Sequence, residues 1–156
     1  MKNADERYFK LQKFFKNKNI SKTLKLRPKN TTIDKTLTYA SETGTLTERD
    51  RMQLNIFERK VYRRILGPVC DNEKGNGRIL TNKEIYASVK EPTVIETVRL
   101  YRLRWFGHVQ RMGENRIPKR VLYMYLGTRL SGRPRNRWQD EVREDGRIVG
   151  GEGWQE

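Results

Sequence analysis

Apolar residues along this chain recur mostly at spacings of three and four, and nowhere alternate for long enough to define a strand. Four stretches open with a polar cap followed three residues later by an acid, the capping-box pattern of a helix start. Asn3 to Glu6 opens a short basic helix with Tyr8, Leu11 and Phe15 on one side. Thr47 to Asp50 opens ERDRMQLNIFERKVYRRIL, which Gly67-Pro68 ends. Leu54, Phe57, Val61 and Ile65 form its apolar stripe, with Arg49, Arg59, Lys60 and Arg63 opposite. Thr81 to Glu84 opens a third helix, which stops near Val89, ahead of Pro92.

Thr93 to Glu96 opens the helix that contains RLRWFGHVQRM. Val98, Tyr101, Trp105, Val109 and Met112 share one face, within about 80° of arc, and predict a core contact. Leu100 and Leu103 lie roughly opposite, so a second contact is expected there. Arg99, Arg102, Arg104 and Arg111 fill the flanks. A further helix starts at Pro118, a favoured first-turn position, and ends near Gly127, with Val121, Leu122 and Tyr125 toward the core. Pro134 opens a last one, PRNRWQDEVRED, with Trp138 and Val142 on one face. KTLTYASETGTL is ambiguous between a short helix and an alternating strand. The pattern predicts an all-α fold, a small irregular bundle of five or six helices with disordered N- and C-terminal segments. Residues 1–35 read as a weakly ordered basic extension or one short helix, 36–145 as the helical body, and 146–156 as a frayed glycine-rich tail.

Charge changes the picture. Hydrophobic residues make up 35% of the chain and charged residues 34%, so any core is small. The formal net charge of +15 calls for an anionic partner, of which nucleic acid is the commonest. The excess is unevenly placed. Residues 1–35 hold eleven Lys/Arg against three acids, residues 36–98 ten against nine, and residues 99–137 eleven against one, Glu114. The first cluster is mainly lysine and the second mainly arginine, which grips phosphate in a two-pronged way. No apolar run is long enough to span a bilayer, and the N-terminus lacks the apolar stretch of a secretory signal. With one cysteine, Cys70, no internal disulfide can form, and an intracellular location, nucleus or cytoplasm, is expected.

Enzyme chemistry finds few candidates. His108 is the only imidazole and reads as a packed or half-packed side chain beside Trp105 and Met112 rather than a base. Cys70 lies among acids that would dull its thiol. Neither a cofactor nor a metal site is expected, because no paired carboxylates, ligand cluster or nucleophile–base spacing occurs. GRPR, Gly132 to Arg135, is similar to an AT-hook core, but Ser131 stands where the hook carries a basic residue. The same stretch fits a phosphate-contacting loop or a helix entry at Pro134. Tyr101, Trp105 and Trp138 read as core aromatics, and Phe106, off the main stripe among arginines, is the candidate for stacking on a base.

LNIFERKVYRRILGPV, RLRWFGHVQRM, RIPKRVL and GRPRNRWQDEV follow one another in an order that resembles the C-terminal region of non-LTR retrotransposon reverse transcriptases, behind the polymerase palm. LTYASETGTLT resembles the family's LTYGSETWTLT, with Gly44 in place of tryptophan. The resemblance covers residues 36–145. It implies a thumb and post-polymerase tail that hold a template–primer duplex and do no chemistry. The family's catalytic Tyr-x-Asp-Asp turn is absent, and no two aspartates are adjacent. Against that resemblance, the departures at Gly44, in the first 35 residues and in the tail look like decay, or a reading frame opened in a degenerate copy.

The expectation is therefore a non-catalytic chain that binds RNA or DNA nonspecifically through phosphate. The contacts expected are Arg99, Arg102, Arg104, Arg111, Lys119, Arg120, Arg133, Arg135 and Arg137. The alternative is a helical interaction module that docks on other parts of a reverse transcriptase and has no independent function.

Overall fold

A computed structural model describes residues 2–70, 77–124 and 137–150. The fold is all-α. The elements are α1 (Lys2–Lys16), α2 (Lys22–Pro28), a π-helical stretch (Lys29–Asp34), α3 (Lys35–Thr38), a 3-10 turn (Ser41–Thr43), α4 (Glu48–Leu66), α5 (Asn82–Val89), α6 (Val94–Gln110), α7 (Ile117–Tyr123) and α8 (Trp138–Gly150). The only strands among the described residues are β1 (Val69–Cys70) and β2 (Gly77–Arg78), an antiparallel pair with Val69 opposite Arg78. No helix among the described residues is long and apolar enough to cross a membrane. The chain divides into two units: Met1–Tyr39 with Leu46–Glu96, and Ala40–Thr45 with Thr97–Glu156.

In the first unit α4 is the central element, contacted by α1, α2 and α5. The stripe Leu54, Phe57, Val61 and Ile65 is buried along it. The first 35 residues are not a weakly ordered extension. They contribute Ala4, Tyr8, Phe15 and Ile33 to the same core as Phe57, Val61 and Ile65. Tyr8 meets Phe57 edge-on at 6.0 Å. Most lysines of this segment stay at the helix surface while Tyr8 and Phe15 reach the core, so a basic composition coexists with a buried face; Lys25 and Lys29 are the buried exceptions. A smaller cluster joins Tyr62 to Leu80 and Ile85 of the α5 region.

The helix starts follow the capping pattern at three of the four expected places. Thr47 with Asp50 and Thr81 with Glu84 form complete capping boxes. At α6 the Thr93 N–H donates to Glu96 at 2.7 Å and the Glu96 N–H to Thr93 Oγ1 at 3.2 Å. Asn3 lies inside the first turn of α1 instead of capping it. Because α4 is central, its cap matters: Thr47→Ala is expected to lower the first unit's stability by about 1 kcal/mol, read by chemical denaturation.

The second unit holds most of α6, with α7 and α8. Val98, Val109 and Val142 are buried, while Tyr101, Trp105 and Met112 are only half-buried. Trp138 donates its indole N–H to the Glu42 carbonyl at 2.7 Å, which ties the short segment 40–45 to α8. Three expectations need correction here. Val121 is exposed on α7, because this short helix turns its apolar residues outward. His108 is exposed, with its ring 5.3 Å from that of Trp105. Residues 146–150 continue α8 and do not belong to a frayed tail, and Gly146 is buried within it.

Candidate nucleic-acid interface

The arginine cluster of the second unit is only partly a surface. Arg102 is almost fully buried, at 1% exposure. Its guanidinium donates to Glu141 at 2.9 Å and to Asp145 at 2.6 Å, and both carboxylates are buried on α8. Arg102 cannot contact phosphate in this state, and its expected role is corrected to that of a core ion partner. The reason lies in helix geometry: at about 100° per residue, position 102 falls within the same arc as Val98 and Val109. Arg99 is half-buried beside the same group, its Nε 3.4 Å from Asp145. Burial pushes the Asp145 carboxyl above its usual range, against the pull of Arg102 and Arg99.

Lys119 is also committed elsewhere. Its ammonium donates to the carbonyls of Gln110 and Met112 at 3.1 and 3.0 Å, closing the end of α6, and lies 2.7 Å from Glu114. Arg104, Arg111 and Arg120 remain exposed, Arg104 with its guanidinium 5.9 Å from the centre of the Tyr101 ring. Arg137 is exposed at the start of α8, where its N–H donates to Asp140 at 3.1 Å. Arg133 and Arg135, with the whole GRPR stretch, lie outside the described residues. Phe106 is half-buried against the Trp138 ring at 6.3 Å, so its ring has a packing partner within the unit.

A second basic surface, unexpected from the sequence, lies in the first unit. It is a groove of about 890 Å³. The end of α1 and the turn after it supply Lys16 and Lys18; α2 supplies Lys22 and Lys25; α4 supplies Lys60, Arg63 and Arg64. No carboxylate lines it among the described residues. Tyr8, Phe15 and Ile65 of the core close its floor, and Ile20, Leu66 and Pro68 border it. Lys60 lies 3.7 Å from Asp5 in an exposed pair, and Arg63 donates to Asn82 at 2.7 Å, so these two positive groups are held in place. Lys25 is the unusual member. It is 6% exposed, yet no hydrogen-bond or ion partner meets its ammonium among the described residues.

The groove escapes a linear reading because its two halves, residues 16–25 and 60–68, come together only when α1 and α2 pack on α4. The available signal was the lysine-rich composition of residues 1–35 combined with the helical spacing of Tyr8 and Phe15.

Away from the groove, the first unit holds a buried polar network. Lys29, 1% exposed, donates to the Tyr62 hydroxyl at 2.6 Å and pairs with Asp34 at 2.8 Å. Glu58 accepts from the Val94 N–H at 3.0 Å and from the Tyr86 hydroxyl at 3.3 Å. Burial raises the Glu58 and Asp34 carboxyls above their usual range, with Lys29 opposing the shift at both. No group of acids, histidine and cysteine among the described residues is arranged to hold a metal ion. With this geometry in view, the chain matches no family model, no curated protein and no solved structure.

Proposed function

We propose that this protein is a non-catalytic nucleic-acid binder that grips phosphate nonspecifically, a role in keeping with the thumb and tail region its motifs resemble. The observation that carries the reading is the groove of the first unit, which seven cations line and no carboxylate lines among the described residues. Concentrated positive charge on a concave surface attracts a polyanion and releases its counterions on binding. The exposed Arg104, Arg111 and Arg120 of the second unit add to the attraction. Lysine-dominated contacts read charge rather than base edges, so sequence preference is weak.

The test is a fluorescence-anisotropy titration with a labelled oligonucleotide at several salt concentrations. Affinity is expected to fall with a log–log slope steeper than about −3, more than about sixty-fold between 50 and 200 mM salt. A flat slope, or no binding at low salt, ends the proposal.

A second reading is favoured by α7, whose Ile117 and Val121 are exposed together with Tyr123 and Met124 at its end. On that reading the second unit is a helical module that docks on a polymerase domain and packs loosely without it. Near-UV circular dichroism separates the two: fixed tryptophan signals count against a loosely packed module, and a flat spectrum favours it.

A further inference from the structure

We infer that the groove of the first unit is a single-strand site, with the Lys25 ammonium as the seat for one backbone phosphate. The inference rests on the phosphate-binding reading and narrows it to one place and one form of nucleic acid. The Lys25 stem is recessed while its ammonium opens to the groove, where the other charges lining the wall are further cations whose repulsion costs free energy. An anion entering the groove relieves that cost, so the energetic gain from a bound phosphate is greatest at Lys25.

Shape selects the strand. At about 890 Å³ the groove lies toward the upper end of the roughly 300–1,000 Å³ range of ligand clefts, space for a few nucleotides. A duplex carries its phosphates on the outside of a stiff rod and reaches the groove only at its rim. A flexible single strand bends a phosphate down to an ammonium inside the groove. Ile20 and Leu66 are half-buried and Pro68 is exposed at the border, which leaves apolar surface beside the charges for sugars and base faces. A charged track with apolar neighbours is the usual design of a sequence-tolerant single-strand site.

The experiment compares wild type and Lys25→Met against a labelled single strand of roughly ten nucleotides and a duplex of the same length, at one low salt concentration. Lys25→Met is expected to weaken single-strand binding about tenfold and duplex binding less than twofold. Methionine keeps the apolar stem and removes one charge from a crowded cationic groove, so the melting temperature should hold or rise by a few degrees. Lys83→Met, an exposed position on α5 outside the groove, should leave both affinities within twofold. Unchanged single-strand affinity in Lys25→Met, or an equal loss for both nucleic acids, overturns the single-strand seat and leaves the general reading standing. Absence of wild-type binding to either nucleic acid ends both. If Lys25→Met folds poorly, the exposed lining residue Lys22 takes its place as Lys22→Gln, with the same selective loss expected and an equal loss overturning the inference.

Discussion

Arg102→Met is expected to destabilise the second unit by about 3–5 kcal/mol at neutral pH. The substitution keeps most of the side-chain bulk but strips the positive charge from between two carboxylates. Glu141 and Asp145 are 3% and 2% exposed, so neither can recover its hydration by a small movement. Arg99 remains near Asp145, but at 3.4 Å and from the half-exposed edge it is a weaker partner than Arg102. The loss therefore reflects two buried carboxylates deprived of their shared cation more than one missing attraction. Trp105 and Trp138 lie in the second unit and the first unit's residues include no tryptophan, so the tryptophan emission transition reports the second unit.

Two further variants separate this account from a simple packing defect. Replacing all three charged groups, as Arg102→Met with Glu141→Leu and Asp145→Leu, should restore stability to near wild type or above it, because no buried charge is then left without a partner. Acid should also rescue the single variant. Without Arg102 the folded carboxyl of Asp145 rises further above its ordinary value of 3.8. A raised folded value favours the folded state below the unfolded value, and that benefit is lost as pH rises through the folded one. The defect should thus be largest near pH 7 and shrink toward pH 4. If Arg102 were a phosphate contact instead, its removal would leave stability unchanged and reduce the salt slope of binding by about one. A change under about 1 kcal/mol would exclude the buried triad.

Arg102 also shows what the sequence does and does not disclose. The caps at Thr47, Thr81 and Thr93 are local chemistry, and each reads directly from a spacing of three. The α4 stripe is equally legible, because all its buried positions but Glu58 and Tyr62 belong to one simple aliphatic and aromatic pattern. On α6 the same arithmetic places position 102 in the buried arc, but an arginine there is read as surface unless its acids on α8 are known to be opposite. Lys25 and Lys29 mislead for the same reason: burial of a charged residue depends on distant partners or on a groove that exists only after folding. Glycines mislead in the other direction. GRIVG reads as a frayed end, yet α8 runs through it, since tertiary contact at the buried Gly146 outweighs poor helix propensity. Exposure of Val121 is a converse case, an apolar residue whose partner is not found within the described residues of its unit.

The network around Lys29 gives the second large effect, in the first unit. Lys29→Met should cost about 3 kcal/mol at neutral pH, the lower end of what breaking a buried ion pair costs, because Asp34 keeps 22% exposure and some hydration. The lysine offsets two acids at once: it touches Asp34 and acts at longer range on Glu58. Removing it raises both folded carboxyls further above their ordinary values of 3.8 and 4.5. By the same linkage, protonation favours the folded variant below those values, and the defect grows as pH rises through the folded ones. Glu58→Gln in the Lys29→Met background should recover part of the loss, since an amide still accepts from the Val94 N–H without a charge to strand. Tyr62→Phe removes only the hydroxyl that accepts from Lys29, and a loss of about 1 kcal/mol with little pH dependence is expected. Hydrogen exchange along α4 reads each variant. Equal, pH-independent losses for Lys29→Met and Tyr62→Phe would show that packing, and not charge balance, holds α2 and the π-helical stretch to α4.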